Sequence, residues 1–243
     1  MPHLLHLDTS ARRTSHSRAL SAAFADAWRA ARPDATYTYR DLAASPVPVI
    51  GEAWTEICDH ALTHGITDPG RLAEGVRTPA QREAWAVAEP LLAELVSADV
   101  LLIGAPMYNF SVPASLKLWI DQVTFPRATL DLKVVVTGAR GGSYAPGTPR
   151  EPFDHHERYL RNFFHGHFQV DDVTFVNAEF VNSTVDPTLD HRREAYRRSY
   201  ADARQAAEAL AREVHKDPVS VGRFTALAMI TGGIALARIT TSD

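Results

Sequence analysis

The residues with the most distinctive chemistry form one short loop, Pro106-Met107-Tyr108-Asn109-Phe110. Its aromatic rings can stack on a flat ligand or contact its edge, and the Asn109 amide can both donate and accept hydrogen bonds. This combination suits a flat heteroaromatic ligand better than a charged one. The same residues could also form an ordinary turn with core aromatics, so the loop must be judged together with its neighbours.

The segments around this loop predict where it lies. An apolar run at 100–103 precedes it, and a segment with helical character, 114–121, follows it. That order predicts a buried strand, a loop at its carboxyl end and a helix. Ligands of open α/β sheets bind at the carboxyl ends of the strands, so this loop is expected at a ligand-binding edge.

A second loop, 9–17, is rich in hydroxyl groups and leads into a predicted helix. A helix N-terminus offers free N–H groups and a positive dipole end, which together favour a phosphate. The loop contains no glycine, so it is neither a Rossmann G-x-G-x-x-G motif nor a Walker loop. Helix capping is the structural alternative for its serines.

A third loop, Arg140-Gly141-Gly142, follows a predicted strand at 132–137. Its glycines let the backbone approach a ligand closely, and consecutive N–H groups could support negative charge developing on a planar ring. A glycine pair after a strand can equally be a simple turn. Taken together, a phosphate loop, an aromatic-amide loop and a glycine loop at one sheet edge describe an FMN pocket.

The hydrophobic periodicity predicts alternating strands and helices along the chain. Strands are predicted at 4–7, 36–39, 99–103, 132–137 and 173–177. Helices are predicted at 15–31, 52–64, 78–97, 113–124 and 153–164, with a last helix opening at Asp186-Pro187 and running to about 214. This pattern predicts an α/β fold with a parallel sheet and helices on both faces.

Three motifs together resemble the FMN-dependent NADH:quinone oxidoreductase and azoreductase family, which has a flavodoxin-like fold. They are Ser10 with Ser15-His16-Ser17, Ala105 to Phe110 with Pro113 and Leu116-Lys117 downstream, and Ala139-Arg140-Gly141-Gly142. The resemblance extends over roughly residues 3–212. It implies a doubly wound five-stranded parallel sheet of order 2-1-3-4-5 and a homodimer with the flavin near the subunit interface.

The resemblance also implies a set of FMN-binding residues. The phosphate would be held by Ser10, Ser15, His16 and Ser17. The isoalloxazine ring would be lined by Pro106, Met107, Tyr108, Asn109 and Phe110, and its pyrimidine side approached by Ala139, Arg140, Gly141 and Gly142. The implied activity is two-electron transfer from NADH or NADPH to a quinone or azo compound by ping-pong hydride transfer. The flavin itself carries that chemistry, so no catalytic side chain or metal is expected.

Three departures from the family pattern affect the expected site. His16 stands where relatives often have glutamine, and Ala139 stands where many have serine. The segment 124–131 replaces a longer excursion that contains aromatic residues. A more open flavin is therefore expected, and the acceptor preference of relatives does not transfer.

Composition limits the remaining possibilities. Hydrophobic residues make up 45% of the chain and the formal net charge is -4, which gives no indication of a nucleic-acid partner or an anionic membrane surface. Cys58 is the only cysteine, which excludes an intrachain disulfide framework and fits the cytoplasm. No signal peptide is recognisable, and no apolar run reaches the roughly 18 residues of a spanning helix.

Several features admit other interpretations. His155-His156-Glu157, near His165 and His167, lacks H-E-x-x-H spacing and is expected to form a solvated helix face rather than a metal site. Arginines at 192, 193, 197 and 198 are interpreted as the exposed face of the last helix. The flavodoxin-like domain is predicted to span 1–216, followed by an apolar extension, 217–243, of unknown role. Two alternative functions remain: a flavodoxin-type electron carrier, and an FMN-binding protein with little turnover.

Overall fold

The computed structural model describes residues 1–125 and 127–214, which form one parallel sheet with helices on both faces. The strands are β1 (His3–Asp8), β2 (Thr36–Asp41), β3 (Val100–Pro106), β4 (Lys133–Ala139) and β5 (Val173–Ala178). Their order is β2-β1-β3-β4-β5, and every neighbouring pair is parallel, as predicted. All carboxyl ends therefore meet at one edge of the sheet.

Six α-helices flank the sheet in the described part of the chain. They are α1 (His16–Ala31), α2 (Glu52–His64), α3 (Pro79–Ser97), α4 (Ala114–Val123), α5 (His155–Phe168) and α6 (Arg193–Glu213). Short 3-10 helices occupy Pro69–Gly75, Glu151–Phe153, Val181–Thr184 and Pro187–Arg192. The start of α3 is a full capping box between Thr78 and Gln81, as its sequence predicts.

Two hydrophobic clusters explain why the central strands are uniformly apolar. Side chains of successive strand residues point to opposite faces, so Leu101 lies in the cluster beneath α2 to α5 and Leu102 in the cluster beneath α1 and α6. All seven residues of β3 are buried, as expected for a strand covered on both faces. The helices that pack on the sheet hold the strand ends in place, and the positions of these ends determine where the three loops at the carboxyl edge lie.

The beginning of the last helix differs from the prediction. Asp186 caps a 3-10 helix, accepting a hydrogen bond from the Thr188 amide, and α6 itself begins at Arg193. Asp186 and Pro187 favour the start of a helix, but the helix that they start is the short 3-10 helix, and α6 follows it. As a result, Arg192 is not part of the exposed α6 face, and its guanidinium lies 5.6 Å from the centre of the Phe180 ring.

The predicted solvated face on α5 is correct for His155, which is exposed, and wrong for His156. His156 is completely buried, together with Leu160, Phe163 and Phe164. The reason is helical spacing, since positions 156, 160 and 163 share one face and that face packs on the sheet. Glu157 is not simply solvated either, because it pairs with buried Arg140.

The shortened segment between α4 and β4 packs onto the body of the protein. Phe125 is buried and its ring lies 6.2 Å from that of Phe168. The Leu130 amide donates to the Phe168 carbonyl. The segment therefore closes over the C-terminal end of α5.

Within the described part of the chain, no helix is long and apolar enough to cross a membrane. The same residues contain no group of three or more histidine, cysteine or acidic side chains arranged to hold a metal ion. The apolar extension predicted at 217–243 lies outside the described residues.

Candidate functional site

The first loop ends in a helix N-terminus with groups suited to an anion. Ser15 is the N-cap of α1, and its hydroxyl accepts from the Arg18 amide and lies 2.8 Å from the Ser17 hydroxyl. The first N–H groups of a helix have no intrahelical partner. Among the described residues, the His16 and Ser17 amides have no hydrogen-bond partner; His16 is half-buried and Ser17 is fully buried. The capping interpretation of Ser15 is correct, and it is compatible with anion binding.

The position of Ser10 is set by an arginine that the sequence analysis did not identify. One Arg18 nitrogen, Nη2, donates both to the Ser10 carbonyl and to Asp41, each at 2.7 Å. Hydrogen bonding to Arg18 lowers the pKa of the Asp41 carboxyl. Buried Asp8 lies 3.5 Å from Arg18 and accepts from the Tyr39 hydroxyl. Burial, together with the Asp8 charge, raises the pKa of Tyr39 to about 12.

His16 faces the N-terminal part of α6. Its Nδ1 lies 3.2 Å from the Tyr196 hydroxyl, and its ring makes edge contacts with Tyr196 and Tyr200. Burial, with a smaller contribution from Arg12, lowers the pKa of the imidazole. Nδ1 is thus engaged by the Tyr196 hydroxyl, and Nε2 is the ring nitrogen that has no hydrogen-bond partner among the described residues.

The second loop is a tight turn with two residues in an unusual backbone conformation. Tyr108 and Ser111 exchange main-chain hydrogen bonds of 2.9 and 3.0 Å. Between them, Asn109 and Phe110 have φ angles of 49° and 68°, the left-handed combination of a type I′ turn. A bulky residue such as phenylalanine rarely adopts this conformation. The turn leaves Tyr108, Asn109 and Phe110 exposed on the surface of the loop.

Contacts join this turn to both neighbouring loops. The Tyr108 hydroxyl lies 3.4 Å from the Ser10 hydroxyl and accepts from the Ala11 amide at 3.3 Å. On the other side, the Met107 amide donates to the Ala139 carbonyl at 2.9 Å. The structure therefore brings together the three loops that the sequence analysis expected at one edge.

The third loop exposes its amides and covers its carbonyls. The carbonyls of Arg140, Gly141 and Gly142 accept hydrogen bonds from the main chain of residues 180–182, at 3.0 to 3.4 Å. Within the described residues, the Gly141 and Gly142 amides have no partner. A Cβ atom at Gly141 would lie only 2.6 Å from the side-chain Nδ2 of Asn182, so any larger residue would force the Asn182 side chain or the loop to move.

The Arg140 side chain is turned inward and does not line the loop surface. Its guanidinium is 3% exposed and lies 3.0 Å from Asp154, 2.5 Å from Glu157 and 3.9 Å from Glu179. Glu179 in turn accepts from the Ser143 hydroxyl and the Tyr144 amide. Arg140 thus ties the glycine loop to α5 and to the end of β5. Its Nε has no hydrogen-bond partner but is buried, so the side chain presents no donor to a ligand at the loop surface.

Comparison with known proteins agrees with this architecture. A model of the family described as having a flavodoxin-like fold matches residues 2–203. The chain is 59% identical over 214 residues to a Nocardia farcinica protein named FMN-dependent NADH:quinone oxidoreductase, with 88% of this chain and 99% of that protein covered. A Parafrankia protein of the same name is 39% identical over 224 residues, covering 88% and 98% respectively.

This chain belongs to the FMN-dependent NADH:quinone oxidoreductase family. The fold is also that of a crystal structure described as an FMN-dependent NADH-azoreductase from Bacillus anthracis in complex with FMN. That structure aligns with a TM-score of 0.67 at 20% identity and covers 86% of this chain and 99% of its own. At this identity the likeness concerns the fold alone.

In this member of the family, sequence reasoning missed the residues whose side chains support the loops without lining the proposed ligand site. Arg18, Asp8 and Glu179 have no distinctive motif of their own. The available signals were weak: Asp8 ends a strand, and Arg18 directly follows the Ser15-His16-Ser17 motif. Their role depends on contacts between segments far apart in the sequence.

Proposed function

We propose that this chain is an FMN-dependent oxidoreductase that passes two electrons from NADH or NADPH to quinones and azo compounds by ping-pong hydride transfer. The proposal rests on its family membership and on one contact in particular. The Tyr108 hydroxyl, on the aromatic loop, lies within 3.4 Å of the Ser10 hydroxyl and 3.3 Å of the Ala11 amide, on the hydroxyl-rich loop. A ligand with a flat ring and a phosphate would engage both loops at once.

The loops fit FMN in chemistry as well as in position. The free amides at the start of α1 and the Ser10 and Ser15 hydroxyls would hold the phosphate. The exposed Tyr108, Asn109 and Phe110 would line the ring, and the Gly141 and Gly142 amides would face its pyrimidine side. Ala139 and Arg140 would contribute by holding those glycines in place.

Each part of the chain then has a physical role in the reaction. FMN, when bound, supplies the ability to accept and release a hydride. The glycine amides are preorganised donors that stabilise negative charge on the ring's pyrimidine side. The left-handed turn fixes the side chains that orient the reacting partners. The reduced nicotinamide must leave before the acceptor enters the same space, which is why ping-pong kinetics are expected.

The spectrum of the purified protein, reconstituted with FMN if necessary, tests the proposal. Flavin absorption bands that bleach with anaerobic NADH and return on adding benzoquinone are the expected result. Flavin that stays oxidised would contradict the proposed turnover and favour a carrier or a simple binder. Failure to bind FMN would contradict the whole proposal.

Two further statements belong to the same proposal. We expect a homodimer with the flavin near the subunit interface, as the family resemblance implies, and sedimentation equilibrium would test it. The cytoplasmic location remains a prediction from the sequence.

A further inference from the structure

A second recess lies beside the glycine loop and is separate from the aromatic turn. It is a cavity of about 380 Å³ between the glycine loop, the segment after it and residues 180–192. Of the thirteen predicted FMN-binding residues, only Gly141 and Gly142 border it. Its size falls within the ordinary range of small-molecule pockets.

The cavity combines an apolar floor with cationic groups. Pro149, Phe180 and Leu189 supply apolar surface, and Arg150 and Arg192 stand among the lining residues. No aspartate or glutamate lines it. Such a lining favours a ligand that has both a flat apolar part and negative charge.

The two arginines have no acidic partner in the described part of the chain. Arg192 donates from Nε to His191 and lies over the Phe180 ring. Arg150 has no side-chain hydrogen bond there, and its Nη1 is 3.3 Å from the position that a Cβ on Gly142 would take. Both guanidiniums are therefore available for a ligand.

The acidic residues next in sequence to the lining residues already have other partners. Asp190 pairs with Arg193 at 2.7 Å, and Glu151 accepts from the Gly147 amide. Glu179 is occupied by Ser143, Tyr144 and Arg140. Two unpaired guanidiniums beside apolar surface match a diphosphate next to an aromatic ring, because a guanidinium can bind phosphate oxygens through two parallel hydrogen bonds.

We propose that this cavity binds the adenosine diphosphate half of the reduced nicotinamide dinucleotide. This inference rests on the proposed function, which makes that dinucleotide the hydride donor. Gly141 and Gly142 border both the proposed flavin site and this cavity. One extended dinucleotide can therefore span the two, with its nicotinamide toward the flavin site and its diphosphate on Arg150 and Arg192. The FMN phosphate is not a competitor here, since its predicted site is at the start of α1.

The test compares two donors in FMN-loaded protein carrying Arg150→Gln, Arg192→Gln or both. NADH contains the diphosphate and adenine, whereas 1-benzyl-1,4-dihydronicotinamide contains neither. The double variant is expected to raise the KM for NADH by about tenfold or more, because charge-assisted hydrogen bonds are lost. Turnover of the benzyl compound with benzoquinone should stay unchanged. Arg82→Gln, an exposed arginine at the start of α3 on the other face, is the matched control.

A binding measurement makes the inference independent of turnover. Calorimetric titration of the FMN-loaded protein with ADP-ribose should give a signal that the double variant loses and Arg82→Gln retains. Equal losses with both donors, unchanged NADH kinetics, or ADP-ribose binding that does not depend on the two arginines would each overturn the inference. A raised KM only for an anionic acceptor, such as a naphthoquinone sulfonate, would overturn it by assigning the cavity to the acceptor.

Failure of the proposed function would look different. Wild-type protein would then oxidise neither donor with benzoquinone, while the ADP-ribose titration would still decide whether the cavity binds a diphosphate.

Discussion

The hydroxyl-rich loop and the glycine loop lie at the same sheet edge, but each is held by an arginine in a different setting. Arg18 is partly exposed and donates a hydrogen bond to the Ser10 carbonyl, with Asp8 and Asp41 as its acidic partners. Arg140 is almost completely buried and is surrounded by three carboxylates. The second arrangement is more costly to disturb, because loss of Arg140 leaves three mostly buried carboxylates close together without their shared cation, whereas Arg18 has two acidic partners.

This contrast predicts that Arg140 supports the fold, whereas Arg18 mainly supports one loop. Arg18 and Asp41 are 14% and 28% exposed, so solvent screens this pair more than it screens the ion pairs of Arg140. The following experiments test the contrast, starting from the largest expected effect.

Arg140→Met should destabilise the protein by about 3–5 kcal/mol, because it leaves Asp154, Glu157 and Glu179 near one another without their shared cation. Urea unfolding of the FMN-free protein measures the change. Arg197→Met provides the control, since its ion pair with Glu194 is exposed on both sides. A loss below about 1 kcal/mol for Arg140→Met would show that the network is not structural.

Gly141→Ala should weaken FMN binding by about tenfold or more, because the new methyl group would overlap the Asn182 side chain and displace the loop. Fluorescence titration with FMN measures the affinity. Combining the change with Asn182→Ala should restore much of it by removing the obstructing atoms. Gly166→Ala has nothing within 4 Å of the added atom and should leave FMN binding unchanged. Equal effects at Gly141 and Gly166 would contradict the steric explanation.

Arg18→Gln should weaken FMN binding several-fold while changing stability less than Arg140→Met does. The substitution releases the Ser10 carbonyl, so the phosphate loop loses its fixed position. Parallel measurements of FMN affinity and urea unfolding separate the two effects. A stability loss as large as that of Arg140→Met would remove the distinction between the two loops.

The smallest effect concerns pH and His16. Burial lowers the pKa of His16 in the folded protein, so the unfolded chain binds the proton more readily. The contribution of this residue to stability is therefore fully present above its unfolded pKa, near 6.5, and decreases as the pH falls from there toward the lower folded value. His16→Gln should flatten the pH dependence of unfolding between about pH 5 and 7. An identical slope in both proteins would mean that His16 does not titrate differently on folding.

Much of the fold could be predicted from local patterns. The strands, the capping box at Thr78 and the helix start at Ser15 all depend on residues close together in the sequence. The strand order, which the family resemblance implied, pairs segments that are far apart in the sequence. The failures have a common cause. The α5 histidine and the Asp186 helix start were interpreted from their neighbours in the chain, whereas packing against the sheet and a separate 3-10 helix decided their structure.

The sequence by itself determined the parallel α/β sheet and the three loops at its carboxyl edge, because hydrophobic periodicity, capping residues and glycines act locally. Only the tertiary structure decided which side chains face a ligand. Arg140 is buried among three carboxylates, and Arg18 donates to the Ser10 carbonyl. Arg150 and Arg192 line one cavity and have no acidic partner in the described residues. Those outcomes depend on which distant charges folding brings within a few ångströms, and no local pattern encodes that.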